Sequence, residues 1–171
     1  MDIMKASVLL GAIFVLATSS VSATAQAPKL VKQFKDWGVY SFSGQKGKVC
    51  YVLSQPREKL PADRDHGDVF FFVSTRPGEK VQSEPSVIVG YTFKTDSKVT
   101  VTVDGVNFTM FTQGEGAWIE NEGDEDRLVN AMRAGSNMKV VGESTRGTST
   151  TYTYSLSGVT AALNESSTIC K

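Results

Sequence analysis

Val99-Thr100-Val101-Thr102-Val103-Asp104-Gly105-Val106-Asn107-Phe108-Thr109-Met110 reads as two strands folded back on each other. Val99, Val101 and Val103 alternate with threonines, and Val106, Phe108 and Met110 alternate again after Asp104-Gly105. Side chains along a strand point to opposite faces in turn, so each run offers one apolar face and one polar face. An Asp-Gly pair between such runs is the signature of a type I′ hairpin, because both central residues must accept positive φ. An antiparallel hairpin with one buried face sets the expectation for the rest of the chain.

Outward from this hairpin the pattern repeats. On its N-terminal side, Asp68 to Thr75 (DVFFFVST) is apolar at successive positions and predicts a strand covered on both faces. Val69, Phe71 and Val73 fall on one face, and Phe70 and Phe72 on the other. Ser86 to Phe93 predicts a strand with Val87, Val89, Tyr91 and Phe93 to one side. Earlier still, Val49 to Gln55 reads as a strand, preceded by a turn at Gly44 to Lys48. Phe34 to Phe42 reads as an edge strand anchored by Trp37. Glu58 to Gly67 (EKLPADRDHG) is polar, contains Pro61 and reads as a loop.

On the C-terminal side, Ala117 to Glu120 is a short apolar run around Trp118. Asp126 to Ala134 (DRLVNAMRA) then places Leu128, Val129 and Met132 at helical spacing, with acidic residues before it and Gly135 to end it. Met138 to Glu143 and Thr148 to Leu156 predict a last strand pair turning at Ser144-Thr145-Arg146-Gly147. Ser157 is placed to cap a final helix through Leu163. Many short strands with one or two short helices predict a mainly β domain, an antiparallel sandwich or barrel-like fold. Its expected core includes Trp37, Phe71, Val101, Trp118, Leu128, Tyr154 and Leu156.

The N-terminus has a different character. Lys5 precedes Ala6 to Ala17 (ASVLLGAIFVLA), an uncharged run of about a dozen residues, too short for the roughly 20 a spanning helix needs. Small residues follow, with Val21-Ser22-Ala23 and Ala23-Thr24-Ala25 both suited to a signal peptidase. The expected organisation is a cleaved export signal over residues 1–25, a short tether over 26–33 and one β domain over 34–171. No later segment is long and apolar enough to be a second membrane span. The chain is therefore expected in the periplasm, or secreted or on the outer surface.

The 171 residues are 40% hydrophobic and 21% charged, with a formal net charge of zero. That balance gives no general pull toward phosphate backbones, so nucleic acid is not an expected partner. Cys50 and Cys170 are the only cysteines, and in an exported chain they favour one disulfide over two free thiols. A bridge closing so long a loop would contribute on the order of 4–5 kcal/mol at most.

The usual catalytic constellations are missing. The single histidine, His66, lies in Asp63-Arg64-Asp65-His66-Gly67-Asp68 with no Ser or Cys beside it, and reads as a surface loop residue. The carboxylates of this loop lack the remaining ligands and terminal Glu of a calcium loop. The acidic run Glu120, Glu122, Asp124, Glu125 and Asp126 reads as a solvated helix start. No zinc spacing, phosphate-cradling glycine loop or Cys-x-x-Cys motif is present, so no catalytic residue, metal ligand or cofactor is assigned.

Three stretches together resemble the invasion-associated locus B family of α-proteobacterial envelope proteins. They are Phe34-Lys35-Asp36-Trp37-Gly38-Val39 with Cys50 and Gln55; Ala117-Trp118-Ile119 leading to Leu128 through Gly135; and Arg146-Gly147-Thr148 through Leu163, ending at Cys170. The chain departs from many members by having Tyr40 where a Cys often follows the Trp, and by lacking a mid-chain Gly-Cys. The resemblance leaves Cys170 as the partner for Cys50. It also implies a secreted or periplasmic β-sandwich, tied to host-cell invasion in some members and carrying no catalytic residues.

Two function classes follow. The first is a non-catalytic envelope protein that binds an envelope or host-surface component. The alternative is an envelope hydrolase, acting for example on carbohydrate through Asp or Glu residues. For the first, Phe70 and Phe72 form the candidate partner surface, unless the helix near Leu128 covers them. That helix is the favoured cover.

Overall fold

The computed structural model describes residues 27–171, so the signal read over 1–25 lies outside the described residues. The strands are β1 (Lys29–Phe34), β2 (Trp37–Gly44), β3 (Gly47–Ser54), β4 (Glu58–Leu60), β5 (Phe70–Arg76), β6 (Val81–Ile88), β7 (Lys98–Val103), β8 (Val106–Gln113), β9 (Gly116–Ile119), β10 (Asn137–Glu143) and β11 (Ser149–Ser155). A one-turn 3-10 helix at Pro77–Glu79 and helices α1 (Glu122–Ala134) and α2 (Val159–Ile169) are the other elements among the described residues.

The hairpin around Asp104-Gly105 forms as its sequence requires. Val103 pairs with Val106, Val101 with Phe108 and Val99 with Met110. Asp104 and Gly105 take φ of 45° and 88°, the two positive values this turn needs. From this unit the sheet grows in both directions into one eleven-stranded sheet, ordered β1-β2-β3-β5-β6-β9-β8-β7-β10-β11-β4. Every neighbouring pair is antiparallel.

The sheet folds over on itself, so its two halves face each other across one core. The ring of Phe71 on β5 meets that of Tyr154 on β11 edge-on at 5.9 Å, although the two strands lie far apart in the sheet order. Trp37 on β2 packs against Phe71 and donates its indole N–H to the Ser155 carbonyl, 3.0 Å away. The architecture is thus the expected mainly β, sandwich-like single domain, made from an open sheet with β1 and β4 at its edges. Val99, Val101, Leu128, Leu156 and Met132 are buried with Trp37, Phe71 and Tyr154.

Helix α1 lies over β6, β7, β8 and β9, and α2 over β1, β2, β3 and β5. Both put their apolar stripes into the same core. Gly158 makes the start of α2 possible. Its φ is 96°, and a Cβ there would stand 2.0 Å from the Phe34 carbonyl oxygen at the β1–β2 turn. Cys170, just beyond α2, is bonded to Cys50 on β3 with a Cα–Cα distance of 5.9 Å. The two cysteines are therefore one disulfide, clamping the end of the helix to the sheet.

Five local expectations are corrected. The segment read as a tether over 26–33 contains β1, an edge strand with mostly exposed side chains, held by main-chain pairing to β2. Such a strand needs no buried face, so its sequence carries no alternation. The strand read over Phe34 to Phe42 instead reverses at Lys35-Asp36, with Lys35 at φ 51°, a turn without Gly or Asn to announce it. The strand read over Ser86 to Phe93 is β6, which starts earlier and ends at Ile88; the chain then bends at Gly90 and Tyr91, and Phe93 makes only an isolated bridge to Ser144. Helix α2 runs on to Ile169 and begins after Gly158, with no side-chain cap from Ser157. Trp118, expected in the core, is half-exposed, because β9 turns Ala117 and Ile119 inward instead.

Candidate functional site

Alternation on β5 sends Phe71 and Val73 into the core and leaves Phe70 and Phe72 on the outer face, half-buried. Sheet register then builds around them. Tyr40 on β2 lies opposite Tyr51 on β3, and their rings stack at 5.2 Å with planes 8° apart. Tyr51 meets Phe72 edge-on at 5.7 Å, and Phe72 meets Phe70 at 5.9 Å. Burial raises the pKa of the Tyr51 hydroxyl, and Tyr40 beside it adds to the rise.

The same face continues across the sheet. Phe70 is opposite Ile88 on β6, Ser86 is opposite Trp118 on β9, and Trp118 is opposite Phe111 on β8. Trp118 and Phe111 stack at 5.9 Å. Phe111 and Ile88 are each 40% exposed. The apolar surface thus crosses six adjacent strands, β2-β3-β5-β6-β9-β8. At about 4.8 Å per strand it is about 24 Å across.

Helix α1 does not cover this face, contrary to the favoured expectation. Leu128, Val129 and Met132 belong to the same buried cluster as Phe71, on the inner side of the sheet. The physical reason is that the apolar stripe of α1 is spent in the core, where the helix packs on β6, β7, β8 and β9. Ile88 and Phe111 are exposed on this face, and Tyr40, Tyr51, Phe70, Phe72 and Trp118 are half-buried.

A second feature was not anticipated. His66 is buried at 5% exposure, not a surface loop residue. Its Nε2 lies 3.0 Å from the Pro61 carbonyl, which can only accept, so Nε2 carries a hydrogen. Its Nδ1 lies 2.9 Å from the Tyr152 hydroxyl, which in turn lies 3.2 Å from the Tyr91 hydroxyl. Tyr91 continues to Thr150 Oγ1 at 2.6 Å. With the hydrogen on Nε2, Nδ1 accepts from the Tyr152 hydroxyl. Burial raises the pKa of both hydroxyls. For Tyr152 the neighbouring Tyr91 adds to the rise, whereas bonds to Thr150 and Tyr152 partly offset it for Tyr91.

His66, Tyr91 and Thr150 line a cleft of about 580 Å³ with Asp63, Arg64, Asp65, Glu115 and Arg146. Segments from four parts of the chain meet there, and no spacing in the sequence announces it. The acidic run near residue 120 lies elsewhere and is engaged locally: Glu120 pairs with Lys98, and Asp124 with Arg127 and Asn121. Among the described residues no group of three or more His, Cys, Asp or Glu is arranged to hold a metal ion. No helix there is long and apolar enough to cross a membrane.

Fold and face together define an antiparallel single-sheet β domain with a disulfide-clamped helix and an aromatic outer surface. The family model for the invasion associated locus B (IalB) protein matches residues 37–167. The chain belongs to the IalB family. Its structure is similar to the crystal structure of invasion associated protein B from Bartonella henselae, with a TM-score of 0.60 at 18% identity. That likeness covers 82% of this chain and 98% of the other, and it speaks to the fold alone. No curated protein matches the chain.

Proposed function

We propose that this chain is an exported, non-catalytic envelope protein that works by docking an envelope or host-surface component on its aromatic outer face. The observation that carries the reading is the uncovered surface from Tyr40 through Phe70 and Phe72 to Trp118 and Phe111. Membership of the IalB family and the signal read over residues 1–25 support export. N-terminal sequencing of protein from the envelope fraction is expected to start near Gln26; intact Met1 in the cytosol would sink the export claim.

The docking claim is tested by Phe70→Ser and Phe72→Ser, singly and together, scored by thermal melts and by the envelope or adhesion phenotype. The expected result is a folded protein with the phenotype lost. Variants that unfold would assign the face to structure and end the docking reading. His66→Ala that folds normally yet abolishes the phenotype would overturn the non-catalytic reading.

The hydrolase alternative draws on one observation, the shared cleft of Asp63, Asp65 and Glu115 beside His66. A screen of glycoside and ester substrates with the purified mature domain decides it, and turnover lost on Glu115→Gln would favour it.

A further inference from the structure

The cleft beside His66 holds two opposite charges with no partner. Each of the other arginines among the described residues has a side-chain partner: Arg57 with Asp36, Arg64 with Asp63, Arg76 with Glu84, Arg127 with Asp124 and Arg133 with Asn164. Arg146 has none among the described residues, and neither has the carboxylate of Glu115.

Main-chain bonds hold the two turns that carry these groups. Arg146 sits in the β10–β11 turn, closed by Gly147 N–H to the Ser144 carbonyl at 2.9 Å and tied by Thr145 N–H to the Thr92 carbonyl at 3.1 Å. Glu115 sits in the β8–β9 turn, where its own carbonyl accepts from Val89 N–H at 3.0 Å and that of Gly114 from Phe93 N–H at 2.8 Å. Both turns are thus anchored to the one segment between Val89 and Phe93, which bends at Gly90 and Tyr91. Tyr91, on that segment, lines the cleft with its hydroxyl fixed to Thr150. The backbone around the cleft is thus fixed, and no ion pair joins its two free charges.

We propose that this cleft binds a zwitterionic ligand of the amino-acid or short-peptide class, its carboxylate on Arg146 and its ammonium on Glu115. The guanidinium fork matches a carboxylate in geometry as well as charge. A purely anionic ligand would meet Asp63, Asp65 and Glu115, and a purely cationic one Arg64 and Arg146; a molecule carrying both signs meets neither objection. A cleft of about 580 Å³ lies within the range of small-molecule sites.

Calorimetric titration of the mature protein with alanyl-alanine, its N-acetyl and C-amide derivatives, alanine and maltose tests this. The dipeptide is expected to bind, and each blocking group to weaken it about tenfold or more, the worth of one charge-assisted hydrogen bond. Arg146→Gln is expected to abolish the penalty of C-amidation, and Glu115→Gln that of N-acetylation. Alanine binding as well as the dipeptide would assign the site to free amino acids; a preference for the dipeptide would assign it to peptides. Blocked derivatives or maltose binding as tightly as the zwitterion would overturn the proposal, as would no binding by any probe. Phe70→Ser and Phe72→Ser are expected to leave these titrations unchanged, which separates this site from the docking face.

Discussion

Phe71 and its neighbours Phe70 and Phe72 are the same residue type in one strand, yet they do different work. Phe71 is fully buried between Trp37 and Tyr154, while Phe70 and Phe72 stand half-buried on the outside against Tyr51 and each other. The inner face is closed by two helices and a disulfide, whereas neither α1 nor α2 lies on the outer aromatics. The difference teaches that an apolar run in a strand states only that both faces avoid water well. Which face becomes core depends on where the helices land.

The sharpest way to break this comparison is truncation. Phe71→Ala is expected to cost about 3–5 kcal/mol in denaturant melts, the usual figure for removing a buried aromatic side chain. A loss below about 1 kcal/mol would show that the inner face is not the tightly packed one.

Removing the clamp comes next. Cys50→Ala with Cys170→Ala is expected to cost about 2–5 kcal/mol, since it frees the end of α2 from β3. Intact-mass measurement with and without reduction checks the bridge first. Two thiols that alkylate without reduction would remove it from the account.

A third prediction concerns the hydroxyl chain under the cleft. Tyr152→Phe is expected to cost about 1–3 kcal/mol, because it leaves His66 Nδ1 without its partner in a buried setting. The same tyrosines predict an alkaline weakness. Burial raises the pKa of Tyr91, Tyr152 and Tyr154 above the ordinary value of 10.0. Above about pH 10 the unfolded chain loses these protons while the native state keeps them, so stability falls as pH rises. It is present in full below that pH. Urea midpoints at rising pH should drop more steeply for the wild type than for Tyr152→Phe.

The smallest effect is expected at the outer face and at one odd hydroxyl. Phe72→Ser should cost about 1 kcal/mol or less, since Phe72 is already half in water. The Tyr154 hydroxyl is buried with no hydrogen-bond partner among the described residues, so Tyr154→Phe should be neutral or slightly stabilising. A large loss from either change would erase the contrast between the two faces.

The sequence by itself determined the strands whose burial is one-sided. Alternation in Val99 to Val103 and Val106 to Met110, with Asp104-Gly105 between, specified a hairpin, a register and an inward face. The helix at Leu128 to Met132 and the pairing of Cys50 with Cys170 were legible as well, because each is a short-range pattern or a count. Only the tertiary structure decided that β1 exists, since an exposed edge strand is held by main-chain bonds that any sequence can make. Only the tertiary structure decided that α1 closes the inner face and leaves Phe70 and Phe72 outside. Only it made His66 a buried residue, by bringing Tyr152, with Tyr91 and Thr150 behind it, from distant segments onto the loop that carries Pro61 and His66. Periodicity reports what one segment hides from water; which segments share the hidden space is fixed by packing among all of them, and no single stretch encodes that.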